Sequence, residues 1–316
     1  PVPLNVYHHA LKGGIRGTKE FAKKGLATHA ANVGLGCGHQ CSYCSSPSLR
    51  FRLPDYGEIG ISAYDRGQAV IDPESAVRIN GDKPRLTPKD TVMLCTCDDA
   101  WSPEARRHEV GRKCLRVLVE ETAANVRILT KSAEVVKDLD VARDDKDRVL
   151  VGLSITAIPE QSKVISVIEP NESCIEKRME ALRQAHNQGL RTYGMLCPLL
   201  LGIADSTAHI DEMVKYMVDC CVKEIFAEAV NPRGRGLILT EQALDVAGYY
   251  TEAAAIKNIH RRQNWSDYVK RLIKNVQRSV RKYYDISKLR FLQYPSGLTE
   301  KDIAEIKKDD AGVVWL

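Results

Sequence analysis

The segment Gly34-Leu35-Gly36-Cys37-Gly38-His39-Gln40-Cys41-Ser42-Tyr43-Cys44 constrains this chain more than any other. Its three cysteines are spaced Cys-x3-Cys-x2-Cys and directly follow a short apolar run read as a strand. Three thiolates this close in sequence sit on one loop, and each can ligate a different iron of a cubane. A 4Fe–4S cluster normally takes four cysteines, so three leave one iron open to a small chelating ligand. The competing reading is zinc, with Cys37 or His39 helping Cys41 and Cys44 to fill a tetrahedral set; Cys41-x2-Cys44 alone would also suit a redox dithiol. No second Cys-x2-Cys pair occurs, Cys95-x-Cys97 being the nearest.

The remaining cysteines, of ten in 316 residues, lie mostly in apolar runs, and a chain this long needs no disulfide staples. Cys114, Cys174, Cys197, Cys220 and Cys221 read as core or incidental. Pro1 to Tyr7 lacks the layout of a signal peptide, and no apolar run is long enough to cross a bilayer. These features lead to the expectation of a cytoplasmic protein with no membrane association. Hydrophobic content of 44% and charged content of 28% exclude a disordered chain.

From Asp90 onward, short apolar runs alternate with helical periodicity. Strands are predicted at 91–95, 126–129, 149–155, 192–196 and 224–230. Helices are predicted at 103–122, 132–139, 172–187 and 206–221. With the run at 32–35 this makes about six strands in parallel βα units. The expected fold class is α/β, a partial (β/α)6 TIM-type barrel with extra C-terminal helices over 240–290. Residues 1–30 read as a basic N-terminal extension, 31–235 as the barrel and 236–316 as a C-terminal helical region. The Pro-, Gly- and Asp-rich stretch 46–89 reads as a long irregular loop.

The cysteine spacing resembles that of the radical S-adenosylmethionine (SAM) superfamily. The order of further short motifs resembles the spore photoproduct lyase-like family: Leu94-Cys95-Thr96-Cys97-Asp98, Leu129-Thr130-Lys131-Ser132, Leu153-Ser154-Ile155, Ile168-Glu169-Pro170, Glu176-Lys177-Arg178 and Met195-Leu196-Cys197-Pro198. The resemblance covers about residues 30 to 232. It implies a 4Fe–4S cluster on Cys37, Cys41 and Cys44 that reductively cleaves SAM to a 5′-deoxyadenosyl radical, which abstracts hydrogen from a substrate. By the same resemblance Lys131 pairs with the SAM carboxylate, Ser154 lies near its ribose, and Tyr43 serves catalysis and cofactor binding. Cys95 stands where the family returns a hydrogen atom to the product radical. Cys97 is taken as a cofactor contact, although the family has a serine there. Ser45 replaces a tyrosine of the lyases, so their tyrosine-assisted hydrogen return is not carried over. Each residue also has a plainer role open to it: Cys95 in the core, Lys131 at a helix start, Ser154 bonded to backbone, Tyr43 in packing.

Between Lys257 and Arg290 eleven Lys and Arg face two acidic residues, Asp267 and Asp285. That surplus suits either a polyanion-binding surface or a solvated helix face. Three functions follow. The first is a radical enzyme acting on a nucleic acid base, in repair or modification. The second is a radical enzyme acting on a small metabolite or peptide. The third is a non-catalytic zinc module. Either radical enzyme would need a reducing electron donor such as flavodoxin or ferredoxin.

Overall fold

The computed structural model describes residues 3–316; Pro1 and Val2, at the start of the N-terminal extension, lie outside the described residues. The core is a nine-stranded open sheet. Its spatial order is Val313–Trp315, Leu289–Gln293, Ile225–Ala229, Arg191–Leu199, Val149–Ser154, Asn125–Thr130, Thr91–Leu94, His29–Ala31 and Arg16–Gly17. All neighbours run parallel except the last pair. Helices follow the strands and cover the outside, as parallel strands require.

The residue pattern explains the order. Every residue of Val149–Ser154 is buried, which suits a central strand covered on both faces. Gly152 lies against the Tyr193 ring, where a Cβ would come within 2.3 Å of a ring carbon. The helix Arg262–Tyr283 buries Trp265, Val269, Leu272, Ile273, Val276 and Val280, a stripe at helical spacing, and leaves its cations outside.

The α/β class and the barrel-like order agree with the sequence reading, and several details differ from it. The first parallel strand of the long sheet is His29–Ala31; Gly34–Gly36 belongs to a separate sheet with Asn5–His8 and Gln68–Ile71. The cysteine loop therefore leaves this smaller sheet. Two strands, Leu289–Gln293 and Val313–Trp315, extend the main sheet inside the region read as helical. The stretch 46–89 holds the helices Ser46–Arg50, Pro54–Ile59 and Ser75–Asp82 as well as a strand. The helix predicted at 103–122 is broken at Glu109, whose φ of 54° is left-handed. No helix among the described residues is long and apolar enough to cross a membrane.

Candidate active site

The cysteine loop is held from all sides. Gln40, at φ 60°, donates its side-chain amide to the carbonyls of Cys37 and Gln68 and accepts from Gly67 N–H at 2.8 Å. Ser42 N–H donates to Ile168 O at 2.8 Å, and Asn171 donates to Gly38 O at 2.9 Å. Gly38 N–H donates to Glu104 at 2.8 Å. A Cβ at this position would lie 2.0 Å from the Glu104 carboxylate and would have to displace it.

The thiols of Cys37, Cys41 and Cys44 are free, half-buried and line one cavity of about 230 Å³. Four thiolates on one tetrahedral zinc would stand about 3.8 Å apart, given a Zn–S bond of about 2.3 Å. Among the described residues, the group of His, Cys and carboxylate atoms gathered within 4.8 Å is His9, Asp55 and Glu58, away from this loop. The three loop sulfurs are not gathered this closely. Soft donors, three in number, on one pinned loop beside an open cavity fit a 4Fe–4S cluster. Burial pushes the Cys37 and Cys41 thiols well up, with Glu104 the next cause for Cys37 and Glu172 for Cys41. Cys41 donates its S–H to Glu172 at 3.1 Å.

The facing wall comes from the ends of neighbouring strands. After Thr91–Leu94, the Thr96 and Cys97 N–H groups donate to Asn32 Oδ1 at 2.9 and 3.0 Å. Asp98 accepts from the N–H groups of Val33 and Gly34 at 3.1 and 2.5 Å. Burial pushes Asp98 up to about 6 against the Arg50 charge. Cys95 is 2% exposed and lines the same cavity. Burial, then the Asp98 charge, keeps its thiol protonated.

Beneath this wall lies a buried charge network. Asp99 accepts from His39 Nε2 at 3.0 Å, Thr130 Oγ1 at 2.8 Å, Lys131 N–H at 3.0 Å and Trp101 N–H at 2.9 Å. His39 Nδ1 meets Glu172 at 2.8 Å. Burial works to discharge this imidazole, but Glu172 and Asp99 push it up to about 10. Glu169 accepts from Tyr43, Thr156 and Arg178. Arg178 also donates to Ser154 O at 3.1 Å, which fixes the end of that strand.

Thus Cys37, Cys41, Cys44, Cys95, Cys97, Lys131 and Ser154 share one cavity. Lys131 is half-buried, and against its desolvation the carboxylates Glu169 and Glu172 push its ammonium up. Tyr43 stands apart: its hydroxyl is engaged by Glu169, its ring lies 5.7 Å from Lys131 Nζ, and it borders a second cavity of about 350 Å³. Cys197, read as incidental, also borders that second cavity. Sequence reading gave His39 a role only as a zinc ligand, and assigned none to Glu104, Glu169, Glu172 or Arg178. Glu169 and Arg178 did fall within matched motifs, which was the signal for them.

The basic segment is largely spent internally. Lys257, Lys270, Arg271, Lys274, Arg278, Arg281, Lys282 and Arg290 each lie within 4 Å of a carboxylate. Most of this surplus is therefore neutralised by residues the linear sequence places elsewhere.

Comparison with solved structures gives spore photoproduct lyase. A tyrosine-to-phenylalanine variant of that enzyme aligns over 88% of this chain and 79% of its own, with TM-score 0.58 and 14% identity. A form with bound AdoMet and dinucleoside spore photoproduct aligns over 76% of this chain and 66% of its own, with TM-score 0.54 and 14% identity. The chain has the spore photoproduct lyase fold. Among curated proteins, an uncharacterized protein of Acidianus two-tailed virus is 27% identical over 68% of this chain and 71% of its own length. An uncharacterized protein of Methanocaldococcus jannaschii is 26% identical over 59% of this chain and 66% of its own length. The chain thus spans slightly under two thirds of the latter and of the AdoMet-bound lyase. No protein-family model matches it.

Proposed function

We propose that this chain is a radical SAM enzyme of the spore photoproduct lyase-like group, acting on a nucleic acid base. The observation that carries the reading is a trio of free thiols on one pinned loop, sharing a cavity with Lys131 and Ser154 at the C-terminal ends of parallel strands. Cys37, Cys41 and Cys44 would hold a 4Fe–4S cluster. With one iron open to SAM, that cluster supplies the electron for reductive cleavage. Lys131 offers a half-buried ammonium, its pKa pushed up by neighbouring carboxylates, for the SAM carboxylate. The Ser154 hydroxyl lies on the same wall, its strand end fixed by Arg178. Burial keeps hydrogen on the Cys95 sulfur, the state from which a thiol can return a hydrogen atom. The lyase likeness supports a nucleobase, since a solved lyase carries a dinucleoside photoproduct. A reducing donor such as flavodoxin or ferredoxin and a cytoplasmic setting belong to this proposal.

Anaerobic reconstitution tests it. About four irons per chain, iron–sulfur absorption and release of 5′-deoxyadenosine from SAM are expected. Cys41→Ala abolishes that release; normal release by this variant refutes the assignment. Cys95→Ala preserves release and alters the quenched product, and unchanged products remove Cys95 from the chemistry. A second reading, a small metabolite or peptide as substrate, is favoured by the internal pairing of the basic helix. Nucleic acid affinity that falls steeply with salt supports the first reading; undetectable affinity at low salt supports the second.

A further inference from the structure

The second cavity, of about 350 Å³, adjoins the first through Cys44, Cys97, Lys131 and Ser154. None of the motifs that define the first cavity explains its far wall. That wall has an apolar part, with Leu26, Met195 and Leu292, beside the charged groups Glu20, Lys24, Glu228 and Arg233. A mostly apolar pocket with a few convergent polar groups is how small-molecule sites are built.

Lys24 follows the helix Lys19–Lys23 and is only 7% exposed. Its ammonium sits 3.1 Å from Glu20 and over the rings of Phe21 and Tyr294 at 4.6 and 5.4 Å. Those contacts fix its position while it faces the cavity. Glu228 comes from the strand Ile225–Ala229, at a half-buried position in an otherwise buried run. Its Oε2 accepts the Cys197 thiol at 3.4 Å, and its Oε1 accepts no hydrogen bond among the described residues. Glu228 is the leading attractive charge on Lys24, yet the two make no ion pair within 4 Å. Neither group is used up by its neighbours: Glu20 takes one of the three ammonium donors of Lys24, and Glu228 keeps Oε1 beyond its Cys197 contact. Both line the same cavity, so a ligand that carries an acceptor and a donor side by side can engage the two together.

We infer that Lys24 and Glu228 are specificity-determining residues that read the lactam edge of a heterocyclic base, Glu228 accepting its ring N–H and Lys24 donating to the adjacent carbonyl. This deepens the nucleobase reading and rests on it for the choice of ligand class. Burial raises Glu228 above the usual carboxylate range, so an N–H partner at this carboxylate also relieves its desolvation.

The test is equilibrium binding to the full-length protein, reconstituted anaerobically, with thymidine and inosine as probes. Each is compared with its N-methylated form, 3-methylthymidine or 1-methylinosine. Both parent nucleosides should bind, and methylation should weaken binding on the order of 10- to 100-fold, the loss expected for a charge-assisted hydrogen bond. Glu228→Gln should erase most of that discrimination. Lys24→Met, which leaves the strand untouched, should weaken both parents by a similar factor. Melting curves show that each variant remains folded. Equal binding of parent and methylated forms, or no binding by protein that shows the cluster absorption and binds SAM, overturns the inference while leaving the radical SAM reading intact. Protein without cluster absorption overturns that reading instead, and nucleoside discrimination remains measurable on it.

Discussion

Arg178, on the helix Ile175–Asn187, and Arg278, on Arg262–Tyr283, both pair with a carboxylate, but in different surroundings. The side chains of Arg178 and Glu169 are 1% and 0% exposed. Those of Arg278 and Asp211 are 49% and 17% exposed. Water screens the second pair and offers both partners a substitute, so its net worth is small. The first pair has no substitute. It holds the Ser154 carbonyl and the Tyr43 hydroxyl, and therefore the floor on which the cysteine loop rests. Charge at the barrel mouth specifies positions, whereas charge along the outer helix mostly cancels.

Breaking the buried pair should have the largest effect. Arg178→Met leaves Glu169 buried and uncompensated, at a cost of about 3–5 kcal/mol. Urea unfolding measures it, and a loss below about 1 kcal/mol would place this pair with the surface ones. Changing both partners to apolar residues should recover much of the loss, because no orphaned charge then remains.

Asp98 sharpens the contrast through pH. Its folded value of about 6 lies above the ordinary 3.8 because burial outweighs Arg50. Between those values the native state holds a proton that the unfolded chain has released. The contribution of Asp98 to stability should therefore fall as pH rises through this window, by about 3 kcal/mol, and level off above it. Asp98→Asn has no proton to hold. The difference between wild-type and variant unfolding free energies should shift from pH 4 to 6 and stay flat above. Parallel profiles would show that Asp98 keeps an ordinary acidity.

The same contrast governs what could be read from sequence. The strands at 91–94, 125–130 and 149–154 were legible because their apolar runs alternate with helical periodicity and are bounded by turns. Leu289–Gln293 was missed because it follows a long basic helix, outside that alternation. The elements within 46–89 were missed because each is short and flanked by Pro or Gly, so no period emerges. At the site, the cysteine loop was legible because its chemistry is local. The His39–Asp99 and Glu169–Arg178 contacts depend on chain segments meeting in space. Lys24 and Glu228 lie further apart still, and only sheet order brings them to one cavity. The basic segment misled for the same reason: its counter-charges, Asp205, Asp211, Glu305 and Asp309, lie outside the window that was counted.

The outer helix gives the smaller effects. Asp302 closes a capping box with Thr299 and accepts Lys270 at 2.9 Å. Asp302→Ala should cost about 1 kcal/mol, mainly through the lost cap. Arg278→Gln should cost at most about 1 kcal/mol, and its effect should shrink further in high salt because exposed pairs are screened. Thermal unfolding at two salt concentrations measures both. A salt-insensitive loss of several kcal/mol from Arg278→Gln would mean that this helix, like the barrel floor, uses charge to hold position. The division between the two regions would then have to be redrawn.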